Sequence, residues 1–311
     1  MLDVKRMKVL REVAQQGSFS AAAEALAYTQ SAVSQQVATL EREAGVRLVE
    51  RGRGGVRLTD AGVALVGHAD AILCRLADAE AELDAISGMR SGRLRMTAFA
   101  TAGATIVPQA IARFRERHPG VTLQLTPDEP YDALQRLRAG EADIALTITA
   151  PHEPAREADI EATVLLDDPM YLLLPAGHAL AKRPRIRLQD LAEEEWLLGS
   201  TTRCPDTVIL VRACQQAGFE PRIGFHSDDY LAIQGFVAAG CGVSLIPDLA
   251  LIAVRDDVVV RSLGANPPAR RIHAATLADS WASPARTAML EILQDVAGEF
   301  CVGRRALALA S

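Results

Sequence analysis

The chain has 311 residues, of which 49% are hydrophobic, and its formal net charge at pH 7 is −6. This length predicts two or three domains with packed cores, and the longest apolar runs fall far short of the ~18 residues that a membrane-spanning helix requires. The basic residues near the N-terminus precede no apolar segment of the signal-peptide kind, and the five cysteines include no CxxC pair, so we expect a cytoplasmic protein. The six histidines show no metal-ligand spacing, and we expect neither a metal nor a cofactor.

The charge is divided unevenly along the chain. Residues 1–58 carry nine basic and six acidic side chains, which gives this segment a charge of +3 and leaves −9 for the remainder. A mildly basic head on an acidic body is typical of a protein that binds nucleic acid.

Two short amphipathic helices separated by a tight turn are predicted over Ser18–Leu26 and Gln30–Leu40. Apolar residues at helical spacing give each helix an inward face; these residues are Phe19, Ala22, Ala23 and Leu26, then Val33, Val37 and Leu40. The outward face of the second helix carries four short polar side chains: Gln30, Ser31, Ser34 and Gln35. A solvated helix would carry Lys and Glu there, whereas short hydrogen-bonding side chains suit base edges and phosphates. The pattern favours a helix-turn-helix that binds DNA over its alternative, a packed helical hairpin with no nucleic-acid role.

A glycine-rich hairpin is predicted next, at Val46–Thr59. Two short alternating segments flank its central glycines; these are Gly52, Gly54 and Gly55. Arg51 and Arg53 lie at the predicted tip, from which arginine can reach phosphates or a narrow minor groove. Beside the helix pair, the hairpin predicts a winged helix-turn-helix, and the alternative is a surface hairpin with solubilising charges.

A long helix is predicted from Asp60 to about Ser87, with Thr59 as its N-cap. Apolar residues spaced three or four apart form a stripe between Leu65 and Ile86. Because such a one-sided helix is not stable alone, we expect it to pair with the same helix of a second subunit. The expected hinge after it comprises Gly88, Ser91 and Gly92.

Residues 1–90 resemble the N-terminal part of LysR-type transcriptional regulators. The matching stretches are GSFSAAAEAL, QSAVSQQVATLEREAGVRLVER and VRLTDAG. The resemblance implies that the recognition helix contacts DNA through Gln30, Ser31, Ser34 and Gln35, and the wing through Arg53. Two departures stand out. Ser31 stands where the family often has proline, a change that a helix start tolerates, and Val49 stands where phenylalanine is usual, which we expect to thin the packing beneath the wing.

From Arg93 onwards the chain alternates between predicted strands and helices, which is the signature of α/β units. The predicted strands are Leu94–Phe99, Val121–Thr126, Asp143–Ile148, Met170–Leu174, Ile223–His226, Gly242–Ile246 and Arg271–Thr276. The predicted helices are Thr105–Arg117, Tyr131–Arg138, Asp206–Ala217, Tyr230–Ala238 and Pro284–Phe300. The order predicts two similar lobes, with the last strand and helix returning to the first. The stretches IVPQAIARFRERHPGVTL, GEADIAL and FVAAGCGVSLIP resemble the effector-binding domain of the same family, which has a periplasmic-binding-protein-like fold.

The predicted architecture is therefore multidomain, with an α winged helix-turn-helix head, a long linker helix and an α/β two-lobe effector domain. The predicted boundaries are 1–58 for the head, 59–90 for the linker and dimerisation helix, 91–163 with 269–301 for the first lobe, 164–268 for the second lobe and 302–311 for a C-terminal tail. The expected partners are double-stranded promoter DNA, a small-molecule effector, and further copies of the chain in a homotetramer, with no membrane partner.

The expected effector site is the cleft between the lobes, because ligands of open α/β sheets bind beyond the carboxyl ends of the strands. The predicted contacts are Thr101, Thr105, Asp128, Ser200, Thr201, Thr202 and His226. Each hydroxyl also fits the alternative role of a helix cap. Nearby acids add negative charge that Arg203 and His226 would offset, so the chemical class of the effector stays open; these acids are Asp128, Glu129, Asp228 and Asp229.

Other functions have less support in the sequence. Cys204 and Cys214 lie ten residues apart, near the spacing of peroxide-sensing members of the family, but no basic cluster beyond Arg203 and Arg212 surrounds them to lower a thiol pKa. The sequence contains no G-x-S-x-G, P-loop or G-x-G-x-x-G motif to support an enzyme. A solute-binding protein would share the two lobes but not the winged head, and a DNA-binding protein whose body serves only oligomerisation stays open.

Overall fold

The computed structural model of the chain describes residues 1–52, 55–86, 92–151, 158–199, 204–264, 266–278 and 280–310. The chain forms two units, one of residues 1–89 with 136–141 and the other of residues 90–135 with 142–311. Among the described residues, no helix combines the length and the apolar composition that crossing a membrane requires.

The first unit begins with three helices. In chain order, its described elements are α1 (Val4–Gln16), α2 (Phe19–Ala25), α3 (Gln30–Ala44), β1 (Val49–Gly52), β2 (Gly55–Leu58) and α4 (Asp60–Ile86). Helix α1 goes beyond the predicted elements, although its end signals are ordinary. The Asp3 carboxylate accepts hydrogen bonds from the first-turn backbone N–H groups, and Gly17 (φ 61°) ends the helix in the left-handed region. Helices α2 and α3 confirm the predicted pair, with α3 continuing to Ala44 instead of Leu40.

The core of this unit lies between α1, α2, α3 and the start of α4. The apolar positions predicted for α2 and α3 all pack in it, with Leu26 partly buried at its edge. Helix α1 contributes four further buried side chains: Met7, Val9, Leu10 and Val13. Three side chains of α3 are almost completely buried, namely Val33, Val37 and Leu40, so the opposite face of α3 is the one that points outward.

The predicted wing is present as β1 and β2. The strands pair antiparallel, with Val49 opposite Leu58, and the N–H of Val56 donates to the carbonyl of Gly17 at 2.9 Å, which attaches the hairpin to the turn between α1 and α2. Val49 is only 8% exposed, so valine fills its place beneath the wing. The predicted contact Arg53 lies outside the described residues, and so does the side chain of Arg51.

Helix α4 starts at Asp60, as predicted, and is tied to the wing through Thr59 and Gly62. The Thr59 hydroxyl accepts from the N–H of Gly62 at 3.1 Å and donates to the carbonyl of Arg47 at 2.8 Å. A Cβ at Gly62 would lie 2.1 Å from the carbonyl oxygen of Leu48, so this close approach of helix and hairpin requires glycine. Of the predicted hinge, Gly88 and Ser91 lie outside the described residues.

From Arg93 onwards strands and helices alternate as predicted in much of the chain, but two runs of three successive strands, within 144–198 and 244–277, have no α-helix between them among the described residues. The described elements are β3 (Arg93–Ala98), α5 (Ala100–Ala104), α6 (Ile106–Arg117), β4 (Thr122–Pro127), α7 (Pro130–Arg138), β5 (Ile144–Thr149), β6 (Ile160–Pro175), β7 (Glu195–Leu198), α8 (Pro205–Gln216), β8 (Arg222–His226), α9 (Tyr230–Ala238), β9 (Ser244–Pro247), β10 (Val258–Arg261), β11 (Ala269–Leu277) and α10 (Pro284–Ala310). Seven strands form a sheet in the order β10-β6-β11-β5-β3-β4, with β9 also on β6, while β7 and β8 form a separate parallel pair. This arrangement confirms the predicted fold class of two α/β lobes.

Strand β6 belongs to both lobes. Residues 160–169 pair with β11 of the first lobe, and residues 170–175 pair with β9 and β10 of the second. The lobes therefore meet at Pro169/Met170, and the predicted boundary at 163/164 is too early. The pairing of β6 with β11 continues beyond residue 164 as far as Pro169. Asp167 and Asp168 fit in this part of the strand because each pairs with the arginine opposite it on β11.

The last helix also departs from the prediction. Helix α10 continues to Ala310, through the segment predicted as a tail from residue 302. Arg304 holds this extension, because its Nε donates to both carboxylate oxygens of Asp248 at 2.9 and 3.0 Å. The return of β11 and α10 to the first lobe is as predicted, since α10 side chains such as Met289 and Ile292 are buried in its core.

Candidate functional site

The outward face of α3 begins at its N-terminus. Gln30, Ser31 and Gln35 are exposed there and Ser34 is half-buried. Thr29 caps the helix, with its hydroxyl oxygen accepting from the N–H of Ala32 at 3.2 Å. The four predicted contact residues thus share one accessible end of the helix, where unpaired backbone N–H groups and the positive end of the helix dipole also favour phosphate.

Side chains that were not predicted from the sequence fix the orientation of α3. One carboxylate oxygen of Glu41 accepts from the N–H groups of both Leu48 and Val49, at 2.8 and 3.2 Å, and this joins α3 to the wing. Arg6 of α1 donates to Gln36 at 3.2 Å and also pairs with Glu43. These contacts hold α3 in a fixed orientation, which matters because base-edge contacts depend on the orientation of the recognition helix.

A cleft lies between the two lobes, beyond the carboxyl ends of β3, β4, β7 and β8. Its volume is about 590 Å³, counting space open to solvent. Residues following those strands line it, as expected for α/β sheets; they include Phe99, Ala100, Thr101, Glu129, Gly199, Ser227 and Asp228. The position of the cleft therefore follows the rule from which it was predicted.

The predicted effector contacts divide into three groups. Thr101 lines the cleft. Thr105, Asp128 and His226 are not among its described lining residues: the Thr105 hydroxyl donates to the carbonyl of Thr101 at 2.7 Å, Asp128 accepts from the hydroxyl of Thr97 at 2.8 Å, and the ring of His226 contacts the carbonyl of Gly199. Ser200, Thr201 and Thr202 lie outside the described residues.

The centre of the cleft is a buried arginine network that sequence reasoning missed. Arg270 is 1% exposed. Its Nε donates to Asp168 at 2.8 Å, its Nη1 to Asp206 at 2.8 Å and its Nη2 to the hydroxyl of Thr101 at 2.6 Å. Tyr230 donates its hydroxyl to the same oxygen of Asp206. One guanidinium thus connects Thr101 of the first lobe with Asp206 of the second, while its partner Asp168 lies directly opposite on β6.

Burial sets the electrostatics of this network. It raises the pKa of Asp168 to about 6, although the charge of Arg270 and hydrogen bonds from Arg270 and from the N–H of Leu249 act in the opposite direction. Burial and the charge of Asp206 also raise the pKa of Tyr230, which therefore stays a neutral donor. The guanidinium also lies over the Phe99 ring, at 5.2 Å from its centroid.

The two cysteines considered for redox sensing lie in unreactive surroundings. Burial raises the pKa of the Cys214 thiol to about 12. The pKa of Cys204 is also raised, because burial and the charge of Asp206 outweigh hydrogen bonds from the N–H groups of Thr207 and Asp206. Ten residues along α8 correspond to about 15 Å, whereas a disulfide requires Cα atoms within about 7 Å. In this conformation the pair is neither activated nor close enough to bond.

Comparisons with known proteins cover both units. A family model described as LysR substrate binding domain matches residues 87–298, and one described as bacterial regulatory helix-turn-helix protein, lysR family, matches residues 4–63. A probable HTH-type transcriptional regulator, LrrA of Synechococcus elongatus, is 31% identical over 96% of this chain and 98% of its own length. A probable hydrogen peroxide-inducible genes activator of Mycobacterium avium is 35% identical over 84% of this chain and 83% of its own. A solved full-length OxyR variant from Pseudomonas aeruginosa is 27% identical, has a TM-score of 0.70, and the match covers 96% of this chain and 95% of that one.

Proposed function

This chain belongs to the LysR family of bacterial transcriptional regulators, and we propose that it binds promoter DNA through α3 and the wing, under the control of a small molecule in the cleft. The observation that carries the proposal is the exposed polar end of α3, with Gln30, Ser31 and Gln35 accessible on a helix whose other face is anchored in a core. Glutamine and serine side chains at that end suit direct readout of bases in the major groove.

A substitution in α3 tests the DNA contacts. The double variant Gln30→Ala with Gln35→Ala should weaken binding to the chain's own upstream region at least about tenfold, since each specific contact contributes roughly 1–3 kcal/mol. Fluorescence anisotropy at fixed salt concentration measures the loss. Gln16→Ala, a change of the same side chain on α1, should bind as the parent does. Equal affinity of the double variant and the parent would contradict the assignment of these contacts.

We further propose that α4 pairs with its counterpart in a second subunit. Leu65 and Ala69 are buried in the head, but the same stripe continues through Ile72, Leu76 and Leu83, which are 39%, 49% and 66% exposed. The spacings of four, three, four and seven residues follow a heptad seam. A second helix that covers these exposed apolar side chains removes them from water and so stabilises the pair of helices. Two copies of the chain joined in this way would present two recognition helices to a pseudo-palindromic site.

Disruption of this seam should separate the subunits. Leu76→Glu should raise the dissociation constant of the dimer at least about 30-fold, because a central apolar contact of an interface contributes about 2 kcal/mol or more. Sedimentation velocity of the full chain measures the change. Ala71→Glu introduces the same charge on another exposed face of α4 and should leave the dimer intact. A dimer that is equally sensitive to both substitutions would contradict the seam.

A second self-association surface supports the tetramer. Every residue of β8 is exposed, and Phe225 of this strand stacks on Phe236 of α9 with ring centroids 5.2 Å apart. Together with Ile223 these side chains form an apolar patch beside an open strand edge, and such patches mark association sites. We assign the contact between dimers to this patch.

The arginine network supplies a route from the effector to DNA. Arg270 is bonded to Thr101 of one lobe and to Asp206 of the other, and both partners line the cleft. A ligand that competes for either oxygen would change the preferred angle between the lobes, and the linked heads would change their spacing. The redox alternative through Cys204 and Cys214 has relatives in its favour, but the raised pKa of both thiols is against it. The relatives compared are named as regulators, so the enzyme and solute-binding alternatives have no comparable support.

A further inference from the structure

A basic loop lies on the surface of the second lobe, between β6 and β7. Its residues 182–187 read KRPRIR and contain four cations and no acid, although residues 59–311 as a whole carry a charge of −9. The loop is therefore a local reversal of sign on an acidic body. A compact cluster of Lys and Arg of this kind is typical of a surface that binds a polyanion.

Three of the four cations have no partner within the chain. Lys182, Arg183 and Arg185 are exposed, and their side chains form no hydrogen bond or ion pair with any residue that the structure describes. The only acid in the sequence between residues 176 and 191 is Asp190, which pairs with Arg187 at 3.3 Å. The three cations can therefore bind an anionic group from outside the chain without breaking an internal contact.

Two contacts hold the backbone of the basic loop in place. The guanidinium of Arg261 on β10 donates to the carbonyl oxygens of Ala181 and Arg183. The side chain of Ile186, which lies between the cations in the sequence, is buried in the core of the second lobe. Because the backbone is already fixed, less conformational entropy is lost when the exposed side chains bind a partner.

The surface of the basic loop favours phosphate over a protein as that partner. Among the described residues between 176 and 191, no large hydrophobic side chain is exposed, whereas the centre of a protein–protein interface is apolar. Contacts with the phosphates of DNA need no apolar surface, and a guanidinium can bind two phosphate oxygens at once. Promoter DNA held by the winged heads would also keep its flanking phosphates at a high local concentration.

We propose that the basic loop binds the phosphate backbone of the promoter DNA that flanks the recognition site, through Lys182, Arg183 and Arg185. This inference rests on the proposed function and adds a second DNA contact outside the winged head. Phosphates carry no sequence information directly, so the loop adds affinity and fixes the course of the flanking DNA, while α3 selects the site.

Two double variants that remove the same charge test the proposal. Arg183→Gln with Arg185→Gln removes two cations of the basic loop, and Arg115→Gln with Arg117→Gln removes two exposed cations of α6. Fluorescence anisotropy of the full chain is measured on two DNA fragments from the chain's own upstream region. A short duplex ends at the recognition site, and a long duplex includes the DNA on both sides of it.

The loop variant should bind the long duplex at least about tenfold more weakly than the parent at about 0.1 M salt. The slope of log K against log salt concentration should decrease in magnitude by about 2, since each phosphate contact contributes about 0.9. On the short duplex the loop variant should match the parent, and the α6 variant should match it on both. The Tm of the loop variant should also equal that of the parent, because neither side chain bonds within the described chain.

Three results would overturn the proposal. An unchanged affinity and salt slope on the long duplex would exclude the phosphate contact and leave an acidic protein as the partner of the loop. Equal losses on the short and long duplexes would show that the flanking DNA is not what the loop binds. Equal losses in the two double variants would show an effect of net charge alone. Failure of the parent to bind either duplex would contradict the proposed function as well, whereas these three results contradict only the contact of the loop.

Discussion

Replacing Arg270 by methionine should lower the free energy of unfolding of the effector-binding unit by about 3–5 kcal/mol. The change removes the one cationic partner that two carboxylates have among the described residues, and the Asp168 side chain is fully buried. Removing one member of a buried ion pair costs this much because the charge that stays behind has neither water nor a counter-ion beside it. Urea denaturation of the full chain, followed by the far-ultraviolet circular dichroism of the transition, measures the loss.

The neighbouring arginine is the control for this prediction. Arg271 makes a similar two-pronged pair with Asp167, at 2.6 and 3.0 Å, but both side chains are partly exposed. Arg271→Met should therefore cost less than about 1 kcal/mol. Adding Asp168→Asn to Arg270→Met removes one of the two carboxylate charges that have lost their cation, and it should restore part of the free energy of unfolding. Equal losses for Arg270→Met and Arg271→Met would show that burial does not decide the contribution of the network.

Gly62→Ala should destabilise the DNA-binding head by about 3 kcal/mol and abolish specific DNA binding. The new Cβ would lie 2.1 Å from the carbonyl oxygen of Leu48 and 3.2 Å from a methyl group of Leu58. Backbone cannot move aside as a flexible side chain can, so α4 must shift away from the wing, and overpacking of this kind typically costs 1–3 kcal/mol or more. Thermal unfolding and anisotropy with promoter DNA measure the two effects.

Gly67→Ala is the matched change on the same helix. A Cβ at Gly67 meets no atom within 4 Å, and alanine is a better helix former than glycine by about 1 kcal/mol. This variant should be slightly more stable than the parent and should bind DNA normally. Loss of DNA binding in Gly67→Ala as well would mean that helix flexibility, and not the contact at Leu48, is what the head requires.

The helices and strands that could be predicted are those that bury one face and expose the other, because this produces a periodic pattern of apolar residues. Helix α3 shows its inward face as Val33, Val37 and Leu40, and α9 was predicted with both of its ends correct, Tyr230 and Ala238. The first half of β6 was not predicted, because Asp is rare in strands and the cationic partners of Asp167 and Asp168 on β11 are distant in the sequence. Helix α1 has an N-cap at Asp3 and a glycine at its C-terminus, so the sequence does contain the signals that mark its two ends.

The candidate site likewise has features that could be predicted from the sequence and features that could not. The polar face of α3 is local, and the position of the cleft follows from strand order, so both could be predicted. Arg270 could not, since its partners Asp168, Asp206 and Thr101 are 102, 64 and 169 residues away and a single arginine in a strand carries no pattern. Thr105, Asp128 and His226 lie at or beyond the ends of strands that lead to the cleft, but their side chains bond to neighbouring groups of the protein and are not among its described lining residues.

The course of β6 through both lobes has a mechanical consequence. Arg270 and Asp168 face each other across β11 and β6, one residue before β6 changes lobes. If the lobes rotate, we therefore expect the rotation axis to pass near the Arg270–Asp168 pair, so that the distance between these two side chains stays constant. The hydrogen bonds from the guanidinium to Thr101 and Asp206 would instead lengthen or shorten. The resistance to rotation is then concentrated in two hydrogen bonds, each worth about 1.5–3 kcal/mol for a charged donor. A ligand whose affinities for the two lobe orientations differ by only that free energy would suffice to shift the protein from one orientation to the other.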